Sequence, residues 1–392
     1  MKTNNLNLTI LLVFSLIIIS CRSSKQIFEY GSVKPTSSVE TIKISNINNL
    51  PLCKVQIDGK EYVFLVDTGA PTIIPPTIFH SLNLKSYFEE EVTDTNNGKR
   101  KQIFTILPEI KIGNLTFQNI GCVVMDIENP TLKCFGFDGI IGANLLAKMV
   151  WQFDYKKNEI RASSEFKYFN QKYDYVIPFE YNNQKTPKIN GIVSNKKLTF
   201  SLDTGYNGSL SINNNFQYFM NNTPKENFVR NRGANAIGFY GTDEFKDNFI
   251  LRSDLQLNNF HFINKIVKSG NSTLIGNDFL KNFLFSIDWE NKKIYLQTIN
   301  SEIESLKSFG FSYTFKNNEA YVISKFANQE IPLELNDRIL KINNIDLSKL
   351  SNEQICQYTI NKIDENLNDM EITILRNNKI FTYKLVKKEF IK

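Results

Sequence analysis

Two short acidic motifs in this chain could do chemistry together: Asp67-Thr68-Gly69 and Asp203-Thr204-Gly205, offset by 136 positions. Each ends a largely apolar run, Phe64-Leu65-Val66 in one case and Phe200-Ser201-Leu202 in the other. Such a run delivers a carboxylate at the end of a buried strand. The glycine permits a tight turn straight after it, and the threonine hydroxyl can brace that turn. One motif is only half a site. Two carboxylates roughly 3 Å apart cannot both ionise, so they share a proton. The charged member then serves as general base on a bound water, while the protonated one polarises a carbonyl. Amide hydrolysis by this route needs no metal, no cofactor and no nucleophilic side chain.

Competing chemistries find little support. His80 and His261 are the two histidines. Neither lies in a motif that would serve a Ser-His-Asp triad or a zinc site, so both read as structural or surface residues. The net charge of +6 is spread along the chain as lysines among asparagines and isoleucines, which reads as a solvated basic surface rather than a nucleic-acid patch. With 42% hydrophobic residues in 392 positions, the chain can bury the cores of two or three domains.

The acidic motifs belong to a larger repeat. Ile140-Ile141-Gly142-Ala143-Asn144-Leu145-Leu146 recurs as Leu274-Ile275-Gly276-Asn277-Asp278-Phe279-Leu280, and Trp151-Gln152-Phe153-Asp154-Tyr155 as Phe285-Ser286-Ile287-Asp288-Trp289, both displaced by 134. Ahead of each motif lies a hairpin pattern turning at Asp58-Gly59 and at Ser194-Asn195. Matched landmarks over two units of about 110 residues indicate a duplication. Short alternating apolar runs such as 110–117 and 254–262, divided by Asn/Gly turns, predict β structure in both copies. A lone Asp-Thr-Gly would arise by chance in roughly one chain of this size in ten. Two copies with the same flanking strand and the same downstream apolar-apolar-Gly are far more specific.

On these residues the chain resembles the pepsin and retropepsin superfamily of aspartic proteases over about positions 41–298. Leu65 to Ala70 looks like that family's active-site loop, and Phe137-Asp138-Gly139-Ile140-Ile141-Gly142 like the element that packs beneath it. The resemblance implies a catalytic pair Asp67 and Asp203, held by Thr68, Gly69, Ala70, Thr204 and Gly205, with Gly142 and Gly276 supporting the loops. It also implies a polypeptide substrate and no cofactor. One departure is Tyr206, where a small residue is usual after the glycine; it could crowd the cleft. Neither Ala70 nor Tyr206 supplies the Ser/Thr hydroxyl that lowers a carboxylate pKa in acid-acting relatives, so activity nearer neutrality is expected. Asn97-Gly98 in the first copy and Phe239-Tyr240 in the second are placed to tip a cover over the cleft.

The ends carry other signals. Leu8 to Ile19 is an apolar run too short to span a bilayer, and it leads into Ile18-Ile19-Ser20-Cys21. This resembles a bacterial lipobox with Cys21 as the lipidated residue, implying a membrane-anchored protein on the periplasmic side of the outer membrane or at the cell surface. In that compartment Cys53, Cys122, Cys134 and Cys356 are free to pair. Cys122 and Cys134 could close a short loop, but spacing alone leaves the pairing open.

Past Gln297 the repeat ends. Ile331 to Asn343 resembles the PDZ-domain stretch in which an Asp precedes Ile-x-x-Ile-Asn, followed by a helix capped by Ser351 and two closing strands. By that resemblance Phe309-Gly310-Phe311 is a carboxylate-binding loop for a peptide C-terminus.

The expected protein is therefore mainly β, a bilobal acid-protease-like pair of β-barrels followed by a small PDZ-like α+β domain. Its parts are a signal with lipobox at 1–21, a flexible tether at 22–40, protease lobes at 41–164 and 165–300, and the PDZ-like domain at 301–392. One chain supplies both carboxylates, so a monomer suffices. The expected activity is aspartic endopeptidase; the alternative is an inactive peptide-binding envelope lipoprotein of the same fold.

Overall fold

The computed structural model of the chain describes residues 23–35, 38–93, 98–127, 129–169, 171–234, 237–238, 241–242, 245–300, 304–327 and 330–391. Paired hairpins build both repeats. Leu50–Ile57 and Lys60–Asp67 run antiparallel with Ile57 opposite Lys60. Their turn, Asp58-Gly59, has φ of 50° and 72°, the left-handed pair that a two-residue hairpin matching the strand twist demands. In the second repeat Pro187–Val193 and Lys196–Leu202 do the same, with Ser194 and Asn195 at φ 46° and 61°. Both turns lie where the sequence puts them.

Each acid-bearing strand then pairs in parallel with a much later segment. Lys60–Asp67 takes Gly139–Gly142, with Asp67 opposite Gly142, and Lys196–Leu202 takes Leu274–Ile275. The apolar-apolar-Gly elements thus lie against the acidic loops. A side chain at Gly142 would come within 2.0 Å of the Pro71 carbonyl carbon, and one at Gly276 within 2.4 Å of the Gly208 carbonyl oxygen. No Cβ fits at either place.

The closing segments of the two repeats join them. Val150–Asp154 pairs antiparallel with Phe283–Asp288, setting Trp151 opposite Ile287 and Phe153 opposite Phe285. The last two rings stack at 4.6 Å. One hydrophobic core runs through both repeats across this base. The mainly-β architecture expected from the sequence is what the strands form.

Residues 304–391 hold a core of their own, with Val322, Leu333, Ile339, Ile342, Ile372 and Ile374 wholly buried. The helix Asn352–Ile360 starts where expected: Ser351 Oγ accepts from the Gln354 amide and Gln354 Oε1 from the Ser351 amide, a complete capping box. Asp337 is buried, and Arg376 binds its carboxylate through Nε (2.7 Å) and a terminal nitrogen (2.5 Å). The proposed carboxylate loop is less open than the sequence suggests. Phe309 and Phe311 are buried in this core, and the Gly310 N–H is already taken by Ser308 Oγ at 2.9 Å.

One expectation changes, and two long-range links appear. Residues 22–40 read as a free tether, yet Ser24–Ile27 is helical, Ile27 and Phe28 are buried against Phe104 and its neighbours, and Ser32–Val33 pairs with 117–118. Its apolar side chains, the strand pairing and the Lys185–Glu29 ion pair hold it in place. The C-terminal unit is joined to the second repeat: Glu319–Phe326 pairs with Phe228–Gly233, Asn231 opposite Phe326, so one sheet is continuous through both. Finally, Cys134 bonds to Cys356, tying the first repeat to the C-terminal helix across 222 positions. Cys122 cannot reach it, because its thiol points into the core and donates to the Ile120 carbonyl. Cys53 is equally buried, its thiol pushed up to about 12 by desolvation.

Non-reducing peptide mapping should therefore recover a 134–356 crosslink, with Cys53 and Cys122 unlabelled by a thiol reagent until the protein unfolds. Replacing Cys134 and Cys356 by Ser should cost about 3–5 kcal/mol in urea unfolding, as for other long disulfide loops.

Candidate active site

The parallel pairings hold the two Asp-Thr-Gly loops against each other. Asp67 and Asp203 are 7% and 8% exposed, largely withdrawn from solvent. The two carboxyls lie close enough to influence each other's protonation directly. Their closeness dictates the glycines: a Cβ on Gly69 would lie 2.5 Å from Asp203 Cγ, and one on Gly205 2.3 Å from Asp67 Oδ2. Each loop's glycine is the space that the other loop's acid occupies. Each acid also accepts from its own loop, Asp67 Oδ1 from the Gly69 amide at 2.6 Å and Asp203 Oδ1 from the Gly205 amide at 2.9 Å.

The threonines lock the loops reciprocally. Thr68 Oγ1 donates to the Leu202 carbonyl at 2.7 Å and accepts from the Thr204 amide at 3.1 Å. Thr204 Oγ1 donates to the Val66 carbonyl at 2.7 Å and accepts from the Thr68 amide at 3.0 Å. All four bonds are buried and cross from one repeat to the other. The sequence suggests a threonine bracing its own turn; each in fact braces its counterpart.

A second layer escaped the sequence reading. Gln184 Nε2 and Thr186 Oγ1 both donate to the Gly69 carbonyl, at 2.9 and 3.2 Å. Asn144 Oδ1 accepts from the amide and hydroxyl of Thr72 at 2.8 and 2.9 Å, while its Nδ2 donates to the Gly121 carbonyl. In the second repeat the role passes to Asn277, whose Nδ2 donates to the Thr204 carbonyl at 2.6 Å and whose Oδ1 accepts from Tyr155. Asn277 aligns with Ala143, not with Asn144, so matching the repeats position by position hides it. The Ala70 carbonyl accepts from the Ala143 amide at 2.8 Å, and the Tyr206 carbonyl from the Asn277 amide at 2.8 Å.

Tyr206 does not stand between the acids. Its ring packs over Gly208 and Gly276, where added Cβ atoms would meet its hydroxyl at 2.3 Å and its Cδ1 at 2.4 Å. The two missing side chains make room for it.

Above the first acid, Phe88–Thr93 and Lys99–Ile112 form a hairpin with Thr93 opposite Lys99. Gly98 adjoins it and is half-buried, whereas Asn97 lies outside the described residues. In the second repeat Ile237–Gly238 pairs with Gly241–Thr242, the intervening Phe239 and Tyr240 again lying outside the described residues. Cys21 does too.

Residues 53–145 match the model of a family described as aspartyl protease. The match takes in Asp67, its loop and Gly142, and stops short of the second repeat. No curated protein matches the chain. An aspartyl-protease domain is thus supported for the first repeat by sequence, and the second repeat sets a second Asp-Thr-Gly loop against it.

Burial pushes both carboxyls above the ordinary range. For Asp67 the amides of Gly69, Ala70 and Gly205 and the Asp203 carboxyl pull the other way. For Asp203, burial is reinforced by the charge of Asp67, so it stands well above the carboxylate range. Both acids are held above the ordinary range, and the charge of Asp67 pushes Asp203 further up. A singly protonated pair exists between the ionisation of Asp67 on the acid side and that of Asp203 on the alkaline side, and raising both limits moves that window upward. Any hydrolysis should accordingly follow a bell-shaped pH–rate curve whose maximum lies above about pH 3.5; a gastric-type maximum below that contradicts the assignment. Thr68→Ala strands the Leu202 carbonyl and the Thr204 amide and should lower stability by about 2–4 kcal/mol in urea unfolding, with Thr68→Ser close to wild type.

Proposed function

We propose that the chain is an aspartic endopeptidase in which Asp67 is the general base on a water and Asp203 the acid that polarises the scissile carbonyl. The observation that carries this reading is the burial of two carboxyls against each other, each filling the space left by the other loop's glycine. Water held by both would be deprotonated by Asp67 as it attacks the peptide carbon. Asp203 would stabilise the developing oxyanion, and the proton taken by Asp67 would then pass to the leaving nitrogen. The fixed threonine bonds favour this, because preorganised donors need no rearrangement during reaction. The hairpin ending at Thr93 and Lys99 is suited to cover an extended polypeptide and exclude water.

The inactive peptide-binding alternative drew its strength from Tyr206. With that ring folded onto its own loop, nothing specific favours a loss of turnover. In this reading the C-terminal unit is a PDZ-like docking module, and Cys21 anchors the protein by lipid to the periplasmic face of the outer membrane or the cell surface. Polypeptides are the substrates, and a single chain suffices.

Incubation with a mixed peptide library should yield internal cleavages that pepstatin suppresses. Asp67→Asn and Asp203→Asn should each lower kcat by roughly a thousandfold; cleavage unchanged in both variants would remove the assignment.

A further inference from the structure

The two repeats differ on the face that adjoins the acids. In the first repeat Leu52 lies opposite Leu65, Ile73 opposite both Val123 and Ile140, and Phe104 opposite Val123. These six side chains are buried in one apolar cluster, against which Ala70 of the acidic loop and Tyr87 and Val92 of the overlying hairpin also pack. The same ladder exists in the second repeat. There Lys188 lies opposite Ser201, Ser211 opposite both Lys268 and Leu274, and Ile250 opposite Lys268. Strand pairing thus equates Leu52 with Lys188, Leu65 with Ser201, Ile73 with Ser211 and Val123 with Lys268. Four apolar residues on one wall are two lysines and two serines on the other.

Leu65 and Ser201 stand two residues before their acids, so side-chain alternation puts them on the same face as Asp67 and Asp203. Lys188 is half-buried, its ammonium donates to Ser201 Oγ at 2.6 Å, and Asp203 is the acid within its electrostatic reach. It has no ion-pair partner among the described residues. Lys268, on the same face, reaches solvent although closely surrounded by protein, with the cation Lys362 of the C-terminal unit also within its electrostatic reach. The acids whose charge reaches Lys268, Asp278 and Glu304, are paired elsewhere, with Lys281 at 2.5 Å and Lys265 at 3.2 Å. A half-buried ammonium without a counter-ion is costly, and a carboxylate arriving with the substrate relieves that cost.

We propose that Lys188, seconded by Lys268, makes the second-repeat wall of the cleft a carboxylate-reading subsite, so that preferred polypeptides present a carboxylate to the second repeat. The inference rests on the cleft assigned above and deepens it by naming the substrate class. The carboxylate comes either from an Asp or Glu side chain or from a free chain end.

The test uses fluorescein-labelled octapeptides with Phe-Leu at the centre and Glu, Gln or Lys at each flanking position in turn, each made with a free and an amidated C-terminus. Binding is measured to the full-length Asp67→Asn protein, on which turnover does not intrude. Glu should bind about tenfold tighter than Gln at a position on one side of Phe-Leu only, the size of one charge-assisted hydrogen bond. Should the gain instead follow the free over the amidated terminus, the carboxylate read is a chain end. Adding Lys188→Leu should bring the Glu/Gln ratio to one, and Lys188→Glu should turn the preference toward Lys. Equal binding of Glu and Gln peptides with no gain from a free terminus, or a ratio that survives both substitutions, overturns the proposal. Cleavage by wild type is scored separately: binding preference without turnover removes the endopeptidase reading alone, and turnover without preference removes this one alone.

Discussion

Everything in this molecule is subordinate to keeping two carboxyls buried against each other. Desolvating an acid is unfavourable, and placing a second beside it is worse. The arrangement persists because each acid accepts backbone amides, because one proton serves both, and because four threonine bonds prevent the loops from separating. Remove the glycines and the acids have no room; remove the hydroxyls and the loops lose their common register.

The rest of the fold follows from that requirement. Parallel pairing with the apolar-apolar-Gly segments fixes the loops from one side, and the shared base through Phe153 and Phe285 fixes the repeats from another. The duplicated halves have since diverged. Support for the acidic loops passes from Asn144 in one to Asn277 in the other, and an apolar wall in one has become a cationic one in the other. The C-terminal unit is fastened to the second repeat by sheet continuation and to the first by a disulfide. It spans both halves of the scaffold that carries the acids.

Local and repeated features were legible in the sequence. The turns at Asp58-Gly59 and Ser194-Asn195, the strand into each acid, the fit of Gly142 and Gly276 and the cap at Ser351 all depend on neighbours in the chain or on a pattern present twice. What stayed hidden depends on contacts between distant segments. The crossing of the threonine bonds, the grip of Gln184 and Thr186 on Gly69 and the Cys134–Cys356 pairing have no local signature. The docking of Ile27 and Phe28 was missed because two apolar residues in a polar stretch fall below what composition can register. Asn277 was missed because the repeats solve the same problem from different positions.

The central claim is that Asp67 and Asp203 hold a single proton between them at near-neutral pH. An infrared difference spectrum of wild type against Asp203→Asn, taken near pH 7, tests it directly. The account predicts the C=O stretch of one protonated, buried carboxyl in wild type that is lost in the variant. Spectra with only ionised carboxylates in wild type, or a protonated band that survives the substitution, would contradict it.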